Sequence, residues 1–365
     1  MIENIKILQT ELNIQFSDKV EDNFPLIWLR DHAKDELNWD ERSNQRKTFT
    51  ARIDSNLQIE EAFILENGKS LSILWSDLNS AVKYSHDFLR KNTLTQKTNR
   101  SNLKLWKSDD INEKIFIDYE LATSNKGFKV FLKKLYDYGF CVIKDCKKEI
   151  NTVEKIAKKI GYVRQSIFGG LWSFESNENM ADSAYTSEEL RPHTDATYSN
   201  DAPGLQLLLC CHYNAQGGES IMVDGFKIAD VIEREHKDLF DILSTVEVPG
   251  NYVGDGVFLE SKRPIFKLNS NKEIVQVSFN NYDRAAFRLE NDLMIKFYEA
   301  IKKFDLMANH EDFQWKYVLK PGELLIFNNW RILHGRKAFK GSRKMSGCYI
   351  NKEDFDSVCK INNII

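Results

Sequence analysis

Apolar and polar residues alternate through the first sixteen positions, MIENIKILQTELNIQF, so every second side chain would fall on one face of an extended chain. Shorter alternating stretches recur around residues 24–29, 62–65 and 70–75, and together these segments predict a small β-rich N-terminal domain over residues 1–110. The polar stretch 91–108, KNTLTQKTNRSNLKLWKS, lacks apolar periodicity and reads as a long connection, with the boundary near Asp110. Beyond it, apolar spacing near 3.6 residues predicts helices at 127–138 and 151–160 around an apolar strand at 139–143. Strand signals follow at 204–211, 219–223, 273–279, 323–327 and 344–350, interrupted by amphipathic helices near 225–235 and 291–306. The fold class this predicts is α+β, mostly β. Residues 111–365 would form a double-stranded β-helix (jelly roll) with buttressing helices, whose mouth suits a small-molecule site. No internal repeat or low-complexity tract alters that picture.

Composition narrows the class. With 42% hydrophobic and 29% charged residues, the 365-residue chain reads as a packed, soluble, globular protein. A net charge of −3 gives no reason to expect nucleic acid or an anionic membrane as partner. No apolar run approaches the about 20 residues of a membrane-spanning helix, and the N-terminus reads as a strand, not a secretory signal. Six cysteines, without a CxxC or a repeated spacing, predict reduced thiols and a cytoplasmic protein; Cys348, close to the functional stretch, reads as core packing.

The sharpest chemical feature is Arg191-Pro192-His193-Thr194-Asp195. In an extended segment, residues i and i+2 share a face, so His193 and Asp195 could reach one metal ion. A third ligand is available from Asn329-Trp330-Arg331-Ile332-Leu333-His334-Gly335-Arg336, just after a predicted strand. Two histidines and a carboxylate on one face leave three coordination positions open, the arrangement of non-haem Fe(II) oxygenases. HxD alone is a weak motif that seven histidines can produce by chance, and His212, at the end of an apolar strand, reads as structural. A second feature strengthens the case. Arg343 follows His334 by nine positions, and a guanidinium can grip the far end of a dicarboxylate with two parallel hydrogen bonds. Gly217-Gly218-Glu219-Ser220 offers a tight turn and a hydroxyl to share that carboxylate. The bland reading of Arg343 is a surface charge in the run KGSRK.

The segments AYTSEELRPHTDATY, DAPGLQLLLC, QGGESIMVDGF, VSFNNYDRAAF, LKPGELLIFNNWRILHGR and RKMSGCY resemble the γ-butyrobetaine and trimethyllysine dioxygenases. These belong to the taurine-dioxygenase-like 2-oxoglutarate oxygenases, a group that 2-(trimethylamino)ethylphosphonate hydroxylases also resemble. The likeness runs over most of residues 116–355, and PLIWLRDHAKDELNWDERSNQR extends it into the N-terminal domain. It implies His193, Asp195 and His334 as Fe(II) ligands, Arg343 as the 2-oxoglutarate anchor and Ser220 as its hydroxyl partner. It further implies O2 as co-substrate, is compatible with ascorbate as an accessory, and implies release of succinate and CO2 on hydroxylation.

The substrates of that family carry a trimethylammonium group in an aromatic cage, since a quaternary cation offers no hydrogen-bond donor and favours ring faces. The matching positions are Trp172, Tyr185 and Tyr349, with Phe168 where a further tyrosine would stand. Asp182, three positions before Tyr185, resembles the trimethyllysine enzymes, whereas Asn281 and Arg288 lie near the expected substrate end. An extra guanidinium at Arg288 would suit a doubly charged anion such as the phosphonate; its bland reading is a solvated charge at a helix start. Trimethyllysine, γ-butyrobetaine and the phosphonate therefore all stay open as the small-molecule partner. A sulfonate oxygenase and a non-catalytic betaine-binding protein are the alternatives. The resemblance is compatible with a homodimer.

One departure concerns the N-terminal domain. Zinc-binding members carry cysteines after WLRD, and here Ala33, Asp35 and Asn38 occupy that stretch. Protein with His193 and His334 both substituted should therefore purify without stoichiometric zinc, as elemental analysis would show.

Overall fold

In the computed structural model, which describes residues 1–94, 103–175 and 187–365, the chain divides into two compact units, Met1–Asn99 and Arg100–Ile365. Asp182 and Tyr185 lie outside the described residues.

In the first unit, strands Ile2–Ile7, Glu11–Phe16 and Glu21–Pro25 form one antiparallel sheet, and Ile59–Leu65, Ser70–Trp75 and Val82–Ser85 another. Alternation does the work expected of it: Leu12, Ile14 and Phe16 join Leu71, Ile73 and Trp75 in one buried cluster. The strand expected at 24–29 ends at Pro25, and Leu26–Asp31 is a helix. Proline presets the backbone for a helix start, and Leu26 and Leu29, three apart, bury the same face. Ala33 and Asn38, where cysteines were absent, are both buried. Asn38 accepts a 3.1 Å bond from Arg30, itself paired with Asp77 at 2.9 Å.

The second unit is built on two sheets. In the larger, the order is Val163–Arg164, Phe339–Ile350, Leu205–Gly217, Leu324–Asn328, Phe140–Lys144 and Phe116–Asp118, with Leu171–Glu175 also pairing to Phe339–Ile350. The smaller runs Leu190–His193, Ile332–Arg336, Ser220–Asp224 and Trp315–Tyr317, all antiparallel. Together they make the jelly roll. Leu205, Leu207 and Leu209 turn outward, with Cys348 and Ile350, into a cluster shared with helices Asn125–Tyr138 and Ile150–Ile160. Gln206, Leu208, Arg343 and Tyr349 turn inward and line the central cavity. Behind the smaller sheet, Ile221, Val223 and Leu333 pack against helices Gly225–Glu235, Lys237–Thr245 and Asn291–Ala308.

The strands expected at 204–211 and 344–350 are longer, pairing from Leu205↔Ile350 to Gly217↔Phe339 through a register shift between Cys210 and His212. A bulge inserts one residue and breaks the alternation, which is why the periodicity stopped there. His212 is exposed beyond it, 3.1 Å from the Ser342 hydroxyl. The helix Lys237–Thr245, the hairpin of Val248–Gly254 with Val257–Arg263, and the helix Lys352–Ile361 were not anticipated. Among the described residues no helix is long and apolar enough to cross a membrane.

One buried ion pair joins these layers. Arg331 (1% exposed side chain) bonds both carboxylate oxygens of Asp224 (0%), at 3.1 and 2.7 Å. It also donates to the carbonyls of Tyr136, Asp137 and Lys104, so its remaining three hydrogens are used. Asp224 in turn caps helix Gly225–Glu235, accepting from the Phe226 and Lys227 amides. Removing one partner of such a pair strands the other charge in the interior. Arg331→Met should lower unfolding free energy by about 3–5 kcal/mol in urea denaturation.

Candidate functional site

His193 ends strand Leu190–His193, and the register sets it directly opposite His334 on strand Ile332–Arg336. The two imidazole rings stand 4.4 Å apart between centroids. His193 Nδ1 lies 2.8 Å from the Arg191 carbonyl, an acceptor, so that nitrogen carries the proton and Nε2 keeps its lone pair. Asp195 Oδ1 is 3.4 Å from His193 Nε2 and 3.5 Å from His334 Nε2. One ligand atom from each residue thus lies within 4.8 Å of the others.

The middle residue of the motif supplies the anchorage. Thr194 is buried, its amide donating to the Phe279 carbonyl at 2.7 Å and its hydroxyl accepting from the Phe279 amide at 2.9 Å. With Thr194 pinned outward, its two neighbours face the cavity. Asn329, 1% exposed, holds the next turn: it accepts from the Asp195 amide at 2.8 Å and donates to the carbonyls of Asp195 and Pro203. Ala196 then takes a left-handed φ of 57°, a strain that the surrounding bonds must hold.

Electrostatics prepare Asp195 and His334 as ligands, whereas His193 must give up a favoured proton when a metal binds. Burial alone would raise the Asp195 carboxyl, but His334, His193 and the Tyr349 phenol hold it below the usual range. His334 is pushed down to about 4, chiefly by burial. For His193, burial works downward and is outweighed by the hydrogen bond and charge of Asp195, leaving it raised. A carboxylate with neutral imidazole nitrogens is the protonation state that metal ligation requires. The donor set fits Fe(II): two imidazole nitrogens and one carboxylate on one face, with positions to spare.

The three residues open onto a cavity of about 570 Å³. Arg343, Ser220, Trp172, Phe168 and Tyr349 line the same space. Nε and Nη1 of Arg343 are buried with no hydrogen-bond partner among the described residues, and burial holds its pKa below the ordinary value. Such a guanidinium demands an anion. Trp172 and Tyr349 stand 5.8 Å apart between ring centroids, and Phe174 stacks behind Trp172. Gly347 makes that possible, because a Cβ there would come within 2.3 Å of the indole.

Asn281 and Arg288 are not brought to the cavity. Both are exposed, and the Arg288 guanidinium bonds Asn291 at 2.5 Å at the start of helix Asn291–Ala308. Asn280, Tyr282 and Asp283 line the cavity instead, because the loop turns on the bond from Asn280 to Asp283. Sequence reasoning passed over Asn329, Gln206, Arg336 and Asp283. Asn329 and Arg336 flank His334 within LKPGELLIFNNWRILHGR, so their place in that motif was the available signal. Gln206 and Asp283 likewise lie within DAPGLQLLLC and VSFNNYDRAAF, and motif membership was again the available signal.

Comparison with known proteins agrees with this geometry. The sequence model of the taurine catabolism dioxygenase TauD, TfdA family matches residues 106–349. The chain belongs to that family. As a family member it is an oxidoreductase of the 2-oxoglutarate-dependent dioxygenase class. Residues 4–115 match a second description, gamma-butyrobetaine hydroxylase-like, N-terminal. This TauD-family chain is 30% identical to the trimethyllysine dioxygenase of Meyerozyma guilliermondii, over 97% of this chain and 94% of that protein. It is 29% identical to the mitochondrial trimethyllysine dioxygenase of Homo sapiens, over 91% and 80%. With the gamma-butyrobetaine dioxygenase of Pongo abelii it shares 26%, over 93% and 90%. The fold matches a taurine dioxygenase from Burkholderia xenovorans with a TM-score of 0.51 at 11% identity, covering 68% of this chain and 89% of that one. AAD-2, solved with Mn(II) and N-oxalylglycine, also gives 0.51 at 11%, over 66% and 96%.

Residues that orient metal ligands are worth roughly ten- to a hundredfold in metal affinity. Asn329→Ala should weaken Co(II) binding by about that factor, whereas His193→Ala should abolish stoichiometric binding, both read by isothermal titration.

Proposed function

We propose that the protein is an Fe(II)- and 2-oxoglutarate-dependent hydroxylase of a small trimethylammonium compound, and that the compound is trimethyllysine. One observation carries the reading: a His-Asp-His ligand set, a guanidinium with two buried nitrogens lacking hydrogen-bond partners among the described residues, and a wall of aromatic rings share one cavity. Bound iron would supply oxygen activation driven by oxidative decarboxylation of 2-oxoglutarate to succinate and CO2.

The side chains divide the remaining tasks. His193, Asp195 and His334 hold the metal, and Arg343 with Ser220 binds the far carboxylate of 2-oxoglutarate. Trp172 and Tyr349 face the trimethylammonium group, with Phe168 on the same cavity wall. A desolvated cation over ring faces gains about 2 kcal/mol or more. Trimethyllysine is favoured over the phosphonate because Arg288, the guanidinium that would have matched a second negative charge, is exposed and bonded to Asn291. Asp283 adds a carboxylate to the cavity lining, which suits a substrate with a second ammonium group. The names of the relatives support the same choice. Six free cysteines, five of them buried, suit a reducing compartment, and we place the protein in the cytosol on that ground.

Succinate formation with Fe(II), 2-oxoglutarate and O2 tests this, with trimethyllysine, γ-butyrobetaine, 2-(trimethylamino)ethylphosphonate and taurine supplied separately. Trimethyllysine should stimulate turnover most, and His193→Ala should remove the stimulation. Truncating one side of a buried charge pair costs about 2 kcal/mol or more, so Arg343→Met should raise the KM for 2-oxoglutarate by at least about thirtyfold. Stimulation by taurine alone would move the protein to sulfonates. Failure to bind Fe(II) and 2-oxoglutarate would defeat the enzymatic reading.

A further inference from the structure

Asp195 presents its two carboxylate oxygens to different neighbours. Oδ1 faces both histidines, at 3.4 Å from His193 Nε2 and 3.5 Å from His334 Nε2. Oδ2 accepts a 2.8 Å hydrogen bond from the Tyr349 phenol. Tyr349 comes from the larger sheet, whereas His193 and His334 come from the smaller one. The contact therefore spans the interior of the jelly roll.

We infer that Tyr349 is a positioning residue that holds Asp195 to ligation through a single oxygen, from the substrate side of the cavity. The argument is one of counting. A carboxylate can bind a metal through one oxygen or both. Two histidines and a one-oxygen carboxylate leave three of six positions, which 2-oxoglutarate (two) and O2 (one) would fill. If both oxygens bound, one of those three would be lost. A phenol proton on Oδ2 stabilises the charge that stays on that oxygen and keeps it turned from the metal.

The phenol is itself steered. Gln206, 6% exposed, stands directly opposite Tyr349 on the neighbouring strand, and its Nε2 reaches the Tyr349 oxygen at 3.4 Å. A donor on that oxygen leaves the phenol proton free to point at Asp195. The pairing of the two long strands sets this alignment, since a slip of one residue would put the two side chains on opposite faces. The ring of Tyr349 meanwhile faces Trp172. The inference rests on the proposed function for the metal and for the role of that ring: one side chain then walls the cation site and disciplines a metal ligand.

Tyr349→Phe keeps the ring and removes only the proton, so it separates the two roles. Mn(II) is the probe, and water-proton relaxation counts the water molecules on it. Wild-type protein should carry three waters on Mn(II), and Tyr349→Phe should carry two, with Mn(II) affinity lowered roughly tenfold. Gln206→Leu should move both values in the same direction by less, without touching either the ring or the carboxylate. Trimethyllysine binding to the Mn(II)–2-oxoglutarate protein, followed by titration calorimetry, reads the substrate assignment separately from the water count. Three waters and unchanged Mn(II) affinity in Tyr349→Phe would overturn the inference and leave the proposed function standing. Failure of wild-type protein to bind Mn(II) would overturn both. A fall from three waters to two, without trimethyllysine binding in either protein, would uphold the positioning role and overturn the substrate assignment.

Discussion

The metal site depends on a four-residue turn, 328–331, at which the chain leaves the larger sheet and enters the smaller one. Its side chains tie it to itself, to the segment 195–203 and to the helix layer. Asn328 accepts from the Trp330 amide and closes the turn, while Asn329 clasps the backbone of Asp195. The Trp330 indole donates to the Ala202 carbonyl, and Arg331 forms the buried pair with Asp224. The turn thus fixes three quantities together: the direction of the strand carrying His334, the loop carrying Asp195, and the start of the helix behind the smaller sheet. Two candidate ligands far apart in the chain, His193 and His334, meet because this corner has one geometry.

The cavity has an uneven charge arrangement that explains its chemistry. At the ligand end, the negative charge of Asp195 is met by the two histidines and the Tyr349 phenol, so it is stable without a cation while retaining lone pairs for one. Elsewhere in the lining, Arg343 has two buried nitrogens with no hydrogen-bond partner among the described residues. Arg336, whose register partner is Ser220, is pushed down to about 10 by burial and by the charge of Arg343. The like charge beside Arg343 adds to the burial that already favours an anion there. A third part of the wall is aromatic and suits a cation that cannot donate hydrogen bonds.

Much of this was legible in the chain because it rests on local rules. Strand signals marked 204–211 within what is the longer strand Leu205–Gly217, and helical spacing marked Gly225–Glu235 with its true ends. HxD declared itself because a period of two puts both side chains on one face. What escaped was governed by partners remote in sequence. Pro25 turned an expected strand into a helix because Leu26 and Leu29 had a core to enter. Arg288 looked like a substrate contact because motif order cannot show which way a loop faces.

By itself the sequence determined the fold class and offered His193, Asp195, His334 and Arg343 as candidates. Residue type and spacing raised these candidates, and the family resemblance assigned their roles. Only the tertiary structure decided that Asn329 clasps Asp195, that Tyr349 caps one oxygen of that carboxylate, and that Asp283 lines the cavity where Arg288 does not. The physical reason is the register of Leu205–Gly217 against Phe339–Ile350 and of Leu190–His193 against Ile332–Arg336. Hydrogen bonds between side chains more than a hundred positions apart exist only after those strands have paired.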